Sequence, residues 1–133
     1  MLGELIAELK GKSVGRRVLD VVGTIEISVS LSGNMRGTPV KESATYVNRA
    51  TSTSGVFHGK GQGIVMAGES EVATFTGEGF GRLGPSGSIN WRAAFFYWTS
   101  STGKLAFLNN LVGVSENEVD AEGNVIDKQW EWK

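Results

Sequence analysis

The chain has 133 residues, of which 40% are apolar and 20% are charged, and its formal net charge is −1. This composition is typical of one globular domain, so we predict a single domain over residues 1–133 and exclude a disordered chain. The small net charge offers no electrostatic footprint for nucleic acid or for an anionic membrane, and we predict neither partner.

The first segment, residues 2–10, is compatible with two structures. Its apolar residues fit one face of a short helix and fit the alternation of a strand equally well. Glu4 and Glu8 interrupt its apolar part, which is unlike a signal peptide. No uncharged apolar run in the chain approaches the length of a membrane span, and the chain contains no cysteine. These features predict a cytoplasmic protein without disulfides.

The rest of the chain has the pattern of an all-β protein. It is rich in glycine, with 19 glycines and two prolines, and shows no long helical periodicity. In "TIEISVSLSG" apolar and polar residues alternate, as in a half-buried strand. Turn signals recur at short intervals between such segments. We predict eight strands, near residues 12–21, 24–31, 35–48, 55–66, 71–83, 87–99, 104–119 and 124–132.

Eight strands joined by short turns predict an antiparallel meander. Such a sheet favours closure into a barrel, because closure removes both exposed edges. At this strand number the interior is either filled by side chains or holds one small ligand. A two-sheet β-sandwich is the alternative, although it more often contains longer Greek-key connections.

The two faces of the last five strands differ in composition. Hairpins centred near residues 69, 85, 101 and 121 place even-numbered residues together on one face. That face mixes large rings with polar groups, as a binding cavity does, whereas the odd face of the last strand is polar. We therefore predict that the even face lines the lumen. Extending the same register back to the preceding strand brings Tyr46 beside His58 and Glu42 beside Gln62. The predicted ligand-binding residues are Glu42, Tyr46, His58, Gln62, Glu78, Arg92, Phe96, Trp98, Asn110 and Trp130.

Glu78 and Arg92 form the most informative predicted pair. The turn at residues 84–87 is expected to place them opposite each other, both facing inward. A carboxylate and a guanidinium in a lumen of low dielectric must pair, because burying either charge alone is costly. The pair either fixes the strand register or orients the polar head group of a ligand.

The odd face, predicted to lie outside, carries more large apolar residues than a monomer normally exposes. Trp91, Phe95 and Phe107 are among them, and they predict a homo-oligomer with this face in the interface. Glycines at 59, 61 and 63, and at 77, 79 and 81, form two columns on the same face. Without side chains, these columns permit close approach of a ring or a backbone, or sharp coiling of the sheet.

Neither a metal nor a cofactor is predicted. The single histidine, His58, excludes a site with several histidines, and the carboxylates lack the spacing of metal ligands. The run from Gly77 to Gly81 is superficially similar to a dinucleotide-binding fingerprint. That fingerprint requires a following helix, whereas here a turn and a strand follow.

The segments "GEGFGRL", "GSINWRAAFFY", "TSSTGKLAFLNNLVGV" and "WEWK" resemble a family of small, uncharacterised single-domain microbial proteins. The resemblance covers most of the chain and implies no particular activity. The predicted architecture is also similar to calycin-like and allene-oxide-cyclase-like barrels. Those barrels bind apolar ligands or fold a reactive one in the lumen, and cyclase-like members are often oligomers.

Three classes of function are compatible with this barrel. We favour a binding module, an oligomeric barrel that holds one small apolar or amphipathic molecule. A cofactor-free isomerase, cyclase or hydrolase would use Glu42, Glu78 or His58 as an acid or a base. A structural barrel would be filled by its own side chains.

Overall fold

The computed structural model describes residues 2–133, which form a closed barrel of eight antiparallel strands in meander order. Each strand pairs with its neighbours in sequence, and the first strand pairs with the last. The strands are β1 (Leu2–Val18), β2 (Ile25–Met35), β3 (Thr38–Ala50), β4 (Val56–Ala67), β5 (Glu71–Leu83), β6 (Ile89–Trp98), β7 (Leu111–Val119) and β8 (Asn124–Trp132). The predicted all-β meander barrel is confirmed, and the sandwich alternative is wrong.

The first strand differs most from its prediction. Residues 2–10 belong to β1 and are not helical, because their backbone pairs on both sides and closes the barrel. Ala7, for example, lies opposite Met35 of β2 and opposite Gln129 of β8. Closure of the sheet therefore overrides the local helical periodicity. No helix within residues 2–133 is long and apolar enough to cross a membrane.

The connection between β6 and β7 is longer than predicted. Residues 104–110, expected to begin a strand, instead form a loop with a 3₁₀ turn at Ala106–Leu108. Leu105 and Leu108 are fully buried in the core. The Leu105 backbone N–H donates to Glu71 Oε1 over 2.9 Å, and the Arg36 guanidinium lies 4.4 Å from the centre of the Phe107 ring. These contacts fold the connection across the barrel end that contains the β2–β3 and β4–β5 turns.

The predicted orientation of the last five strands is wrong. Odd-numbered Phe75, Phe95 and Tyr97 are buried in the lumen, whereas even-numbered Phe96 and Trp98 are about half exposed. The predicted oligomer interface fails with it, because Trp91 and Phe95 line the lumen and Phe107 packs against the core. The polar face of β8, expected in solvent, points into the barrel.

The glycine columns explain this orientation. A Cβ atom added to Gly63 would lie less than 3.0 Å from the Phe75 ring, and one added to Gly77 would collide in the same way with Phe95. The glycines thus face inward, and rings from neighbouring strands occupy the space that their missing side chains leave. The Phe75 and Phe95 rings then pack edge to face, with centroids 5.3 Å apart.

Candidate functional site

Two of the ten predicted site residues face the lumen, namely Glu42 and Tyr46 of β3. The β3–β4 connection places Asn48 opposite Gly59, so even-numbered residues of β3 share a face with odd-numbered residues of β4. The prediction had extended the even face unchanged through this connection. It therefore placed Glu42 and Tyr46 in the lumen, where they lie, but beside the wrong residues of β4.

The side chains of the other eight predicted residues lie outside the lumen. The reversed orientation of β4 to β8 turns seven of them outward, and the eighth, Asn110, is exposed in the β6–β7 connection. The eight are His58, Gln62, Glu78, Arg92, Phe96, Trp98, Asn110 and Trp130.

The predicted buried pair of Glu78 and Arg92 does not form. Glu78 lies opposite Ala94, and Arg92 lies opposite Phe80, two residues away from the predicted register. Glu78 Oε2 instead contacts His58 Nε2 at 2.7 Å on the outer surface. The hydrogen bond from His58 lowers the pKa of Glu78, with a smaller contribution from the charge of Lys60. This is a partly exposed surface pair, which contributes little to stability.

The lumen contains a cavity of about 120 Å³. Most of its wall is apolar and comes from β2, β6, β7 and β8. The apolar wall includes Ile27, Val29, Trp91, Phe95, Val119 and Val125. The polar residues that line it include Glu42, Tyr46, Asn48, Ser115, Asn117 and Asp127. An apolar cavity with a few convergent polar groups is the usual form of a small-molecule site.

Asp127 of β8 is the centre of a buried hydrogen-bond network. It is 2% exposed and accepts hydrogen bonds from Ser115 Oγ (2.5 Å), Asn117 Nδ2 (3.3 Å) and Gln129 Nε2 (2.8 Å). Burial raises the pKa of Asp127, and these three hydrogen bonds oppose the rise because they stabilise the ionised form. Both carboxylate oxygens thus have donors, as an ionised group requires.

Tyr97 of β6 fixes the orientation of this network. Its hydroxyl donates to Gln129 Oε1 over 2.7 Å, and both side chains are fully buried. The Gln129 amide oxygen is thereby occupied, so its NH₂ group points to Asp127. The result is a continuous chain of donors from Tyr97 through Gln129 to the carboxylate, in a site where unpaired polar groups are costly.

Glu42 of β3 is the other buried carboxyl group. It is 3% exposed, and its Oε1 has no hydrogen-bond partner within residues 2–133. Burial raises the pKa of Glu42 to about 8, with a further contribution from the negative charge of Asp127. The pKa of about 8 keeps Glu42 mostly protonated at neutral pH, whereas the donors on both oxygens of Asp127 stabilise its ionised form. Two carboxyl groups in such different surroundings are able to act as an acid and a base.

Four polar residues of this site, Ser115, Asn117, Asp127 and Gln129, were missed. Their signal in the sequence is a run of polar residues at alternate positions on both β7 and β8. The register places Ser115 opposite Gln129 and Asn117 opposite Asp127, so the four form one inward patch. Polarity alone had assigned the β8 residues to solvent, and only the inward orientation of the glycines distinguishes the two possibilities.

The described residues contain no group of three His, Asp or Glu side chains close enough to hold a metal ion. No protein-family model, curated protein or solved structure matches the chain. The resemblance to the microbial family and to calycin-like or allene-oxide-cyclase-like barrels therefore stays a prediction.

Proposed function

We propose that this protein binds one small amphipathic molecule in the lumen of its barrel. The observation that carries the proposal is the unpartnered Oε1 of Glu42, which lines a largely apolar cavity. A buried polar atom without a hydrogen bond costs about 1–3 kcal/mol. A ligand with one polar group and an apolar body removes that cost and fills the cavity.

The size of the cavity limits the ligand. A volume of about 120 Å³ is slightly smaller than an engineered apolar cavity of roughly 150 Å³ that binds benzene. The expected ligand is therefore compact, with no more than one ring inside the cavity. Drug-sized molecules occupy pockets of about 300 Å³ or more and are too large for this lumen.

A purely structural barrel explains the site less well. Replacing buried ionisable groups by well-packed apolar residues is often neutral or stabilising, so two carboxyl groups beside a cavity are a poor solution for packing alone. The network around Asp127 is satisfied, but Glu42 is not. This contrast favours a site that is completed by a ligand.

Native mass spectrometry of protein purified without denaturation tests the proposal. We expect the wild-type chain to retain a small molecule, and expect Glu42→Gln to lose most of it. Glu116→Gln, which changes an exposed carboxylate of β7, is the matched control and should retain it. A wild-type chain that carries no adduct, and whose melting temperature does not rise with benzyl alcohol or benzylamine, contradicts lumen binding.

A cofactor-free isomerase, cyclase or hydrolase is a second candidate function. It is favoured by the same pair, because neutral Glu42 is able to donate a proton while Asp127 stabilises positive charge. In that case Glu42→Gln should retain a molecule that differs chemically from the one in wild-type protein. Extraction followed by chromatography and tandem mass spectrometry distinguishes a substrate from its isomer or hydrolysis product.

We also propose that the protein assembles with a second copy through its outer surface. Five large apolar residues lie on the outside of neighbouring strands β4, β5 and β6, each 42–47% exposed; they are Ile64, Met66, Val72, Phe96 and Trp98, here called the outer patch. Cross-strand neighbours of the outer patch include Ser43, Thr74 and Thr76, which carry no charge, and Lys41, which lies opposite Met66. Two copies can therefore bring the uncharged part of this surface together in a two-fold contact, with Lys41 at its margin.

A further inference from the structure

The charge of the lumen is unbalanced. Glu42 and Asp127 both line the cavity, whereas none of its lining residues in the described chain is a lysine, arginine or histidine. The ion pairs of Arg17 with Glu26 and of Arg36 with Glu4 and Glu131 lie away from it. Glu78 also borders the cavity, but its side chain is about half exposed and pairs with His58 on the outer surface. The cavity therefore has a negative charge that no cationic side chain along its wall compensates.

Aromatic rings lie beside these carboxyl groups. Tyr46, Trp91 and Phe95 contribute to the cavity wall and come from β3 and β6. The faces of such rings carry negative electrostatic potential and attract cations, most strongly when water is excluded. Carboxyl oxygens and ring faces in one small cavity provide the two kinds of group that recognise an ammonium ion.

The hydrogen-bond geometry leaves room for such a cation. Asp127 is held in place by Ser115, Asn117 and Gln129, so its position does not depend on the ligand. Glu42 Oε1 lacks a partner and is available as an acceptor for an N–H group. A neutral ligand would pair with Glu42 but leave the charge of Asp127 uncompensated, and an anion would be repelled by it.

We infer that the ligand is a small organic amine, bound as a cation with its nitrogen beside Glu42 and Asp127 and its apolar part against Tyr46, Trp91 and Phe95. This inference rests on the proposed function, since it names the class of molecule that the lumen binds. It makes the protein a selective binder of compact amines, and it excludes fatty acids and other anionic apolar molecules.

Benzylamine and benzyl alcohol form a matched pair of probes, because they share one ring and one methylene and differ in charge at pH 7. Isothermal titration calorimetry in moderate salt should show benzylamine binding at least about tenfold more tightly than benzyl alcohol to the wild-type chain. In Glu42→Gln, benzyl alcohol should still bind, and the preference for benzylamine should fall to about threefold or less. Asp127→Asn should reduce the preference in the same way, whereas Glu116→Gln should retain it.

The two proposals fail in different ways. If benzyl alcohol binds as tightly as benzylamine, or more tightly, the inference about the amine is wrong while lumen binding stands. If neither probe binds to the wild-type chain, both are wrong. If Glu116→Gln loses the preference as Glu42→Gln does, the amine binds at the surface and the inference is wrong. The comparison in wild-type protein needs no variant, so it decides the question even if a substitution prevents folding.

Discussion

The inner surface of β7 and β8 and the outer surface of β4 to β6 reverse the usual distribution of side chains. Inside, Ser115, Asp127 and Gln129 are no more than 3% exposed, together with half-buried Asn117. Outside, the large apolar residues of the outer patch are 42–47% exposed. Each arrangement costs free energy in an isolated empty barrel. These are therefore the two surfaces at which we expect a partner, a small molecule inside and a second copy outside.

The largest expected effect concerns Glu42 and pH. Its folded-state pKa of about 8 lies above the ordinary value of 4.5, so the folded state binds this proton more tightly than the unfolded state does. The associated stability is fully present below about pH 4.5 and is lost as the pH rises through about 8. We expect the free energy of unfolding of Glu42→Gln to exceed that of wild type by as much as about 5 kcal/mol at high pH.

Urea unfolding of both proteins between about pH 4 and pH 9 measures this difference and cancels the contributions of surface carboxylates such as Asp20 and Asp120, whose pKa values are lowered. Glu116→Gln, outside the lumen, should follow the wild-type pH profile. Parallel profiles for wild type and Glu42→Gln would show that Glu42 is not a buried acid. That result would contradict the expectation of a ligand at the inner surface.

A somewhat smaller effect is expected from Gln129→Leu. The substitution leaves the hydroxyl of Tyr97 without its acceptor and removes one donor from Asp127, both in the buried network. We expect a loss of about 3 kcal/mol in the free energy of unfolding. Lys128→Leu changes the adjacent exposed residue of β8 and should cost less than about 1 kcal/mol. Equal urea midpoints for the two variants would contradict the inward orientation of Gln129.

The outer patch should affect assembly more than folding. Trp98→Glu places a charge within the proposed contact, so we expect sedimentation velocity to show a single chain where wild type shows a dimer. The circular dichroism spectrum should be unchanged, because Trp98 is about half exposed. Asn90→Glu, at the other end of β6 on the same outward face, is the matched control. Wild-type protein that sediments as a monomer at high concentration would contradict the outer contact.

The smallest effect is expected from Arg92→Met. Its side chain is exposed, and its Nη1 donates to the neighbouring backbone oxygen of Trp91. We expect a change of less than about 1 kcal/mol in the free energy of unfolding, as for Arg82→Met on β5. In the buried pair predicted from the sequence, the same substitution would leave Glu78 as an unpaired buried charge and cost about 3–5 kcal/mol. A loss of that size in urea unfolding would restore the original orientation and contradict the structure.

Strand number, order and much of the boundaries were predictable, because alternation and turn residues are local signals. The predicted ranges 71–83 and 124–132 coincide with β5 and β8. Orientation was not predictable in the same way, since alternation defines two faces without saying which one is inside. In this barrel side-chain volume determines which face lies inside, because rings such as Phe75 and Phe95 require the space beside glycines on neighbouring strands. That requirement links residues on different strands and outweighs the polarity of β8.

Glu42 and Tyr46 show the limit of the site prediction most clearly. They were expected in the lumen because the even face was extended from β4 to β3. The observed register instead pairs even-numbered residues of β3 with odd-numbered residues of β4. For β3 the wrong orientation and the wrong register cancel, so Glu42 and Tyr46 were placed in the lumen. For β4 to β8 the wrong orientation is not compensated, so residues that lie outside were placed inside. A one-residue difference in a single turn is therefore enough to change every candidate residue beyond it.

The connection that spans residues 99–110 makes the two ends of the barrel different, because it closes one of them. With Leu105 and Leu108 buried across one end, the cavity has a floor, and its lining residues Asn48, Ile89 and Val119 lie toward the opposite end. The molecule is thus a cup and not a tube. A ligand of the proposed function would therefore enter and leave through the same mouth, and a second ligand would bind only after the first has left.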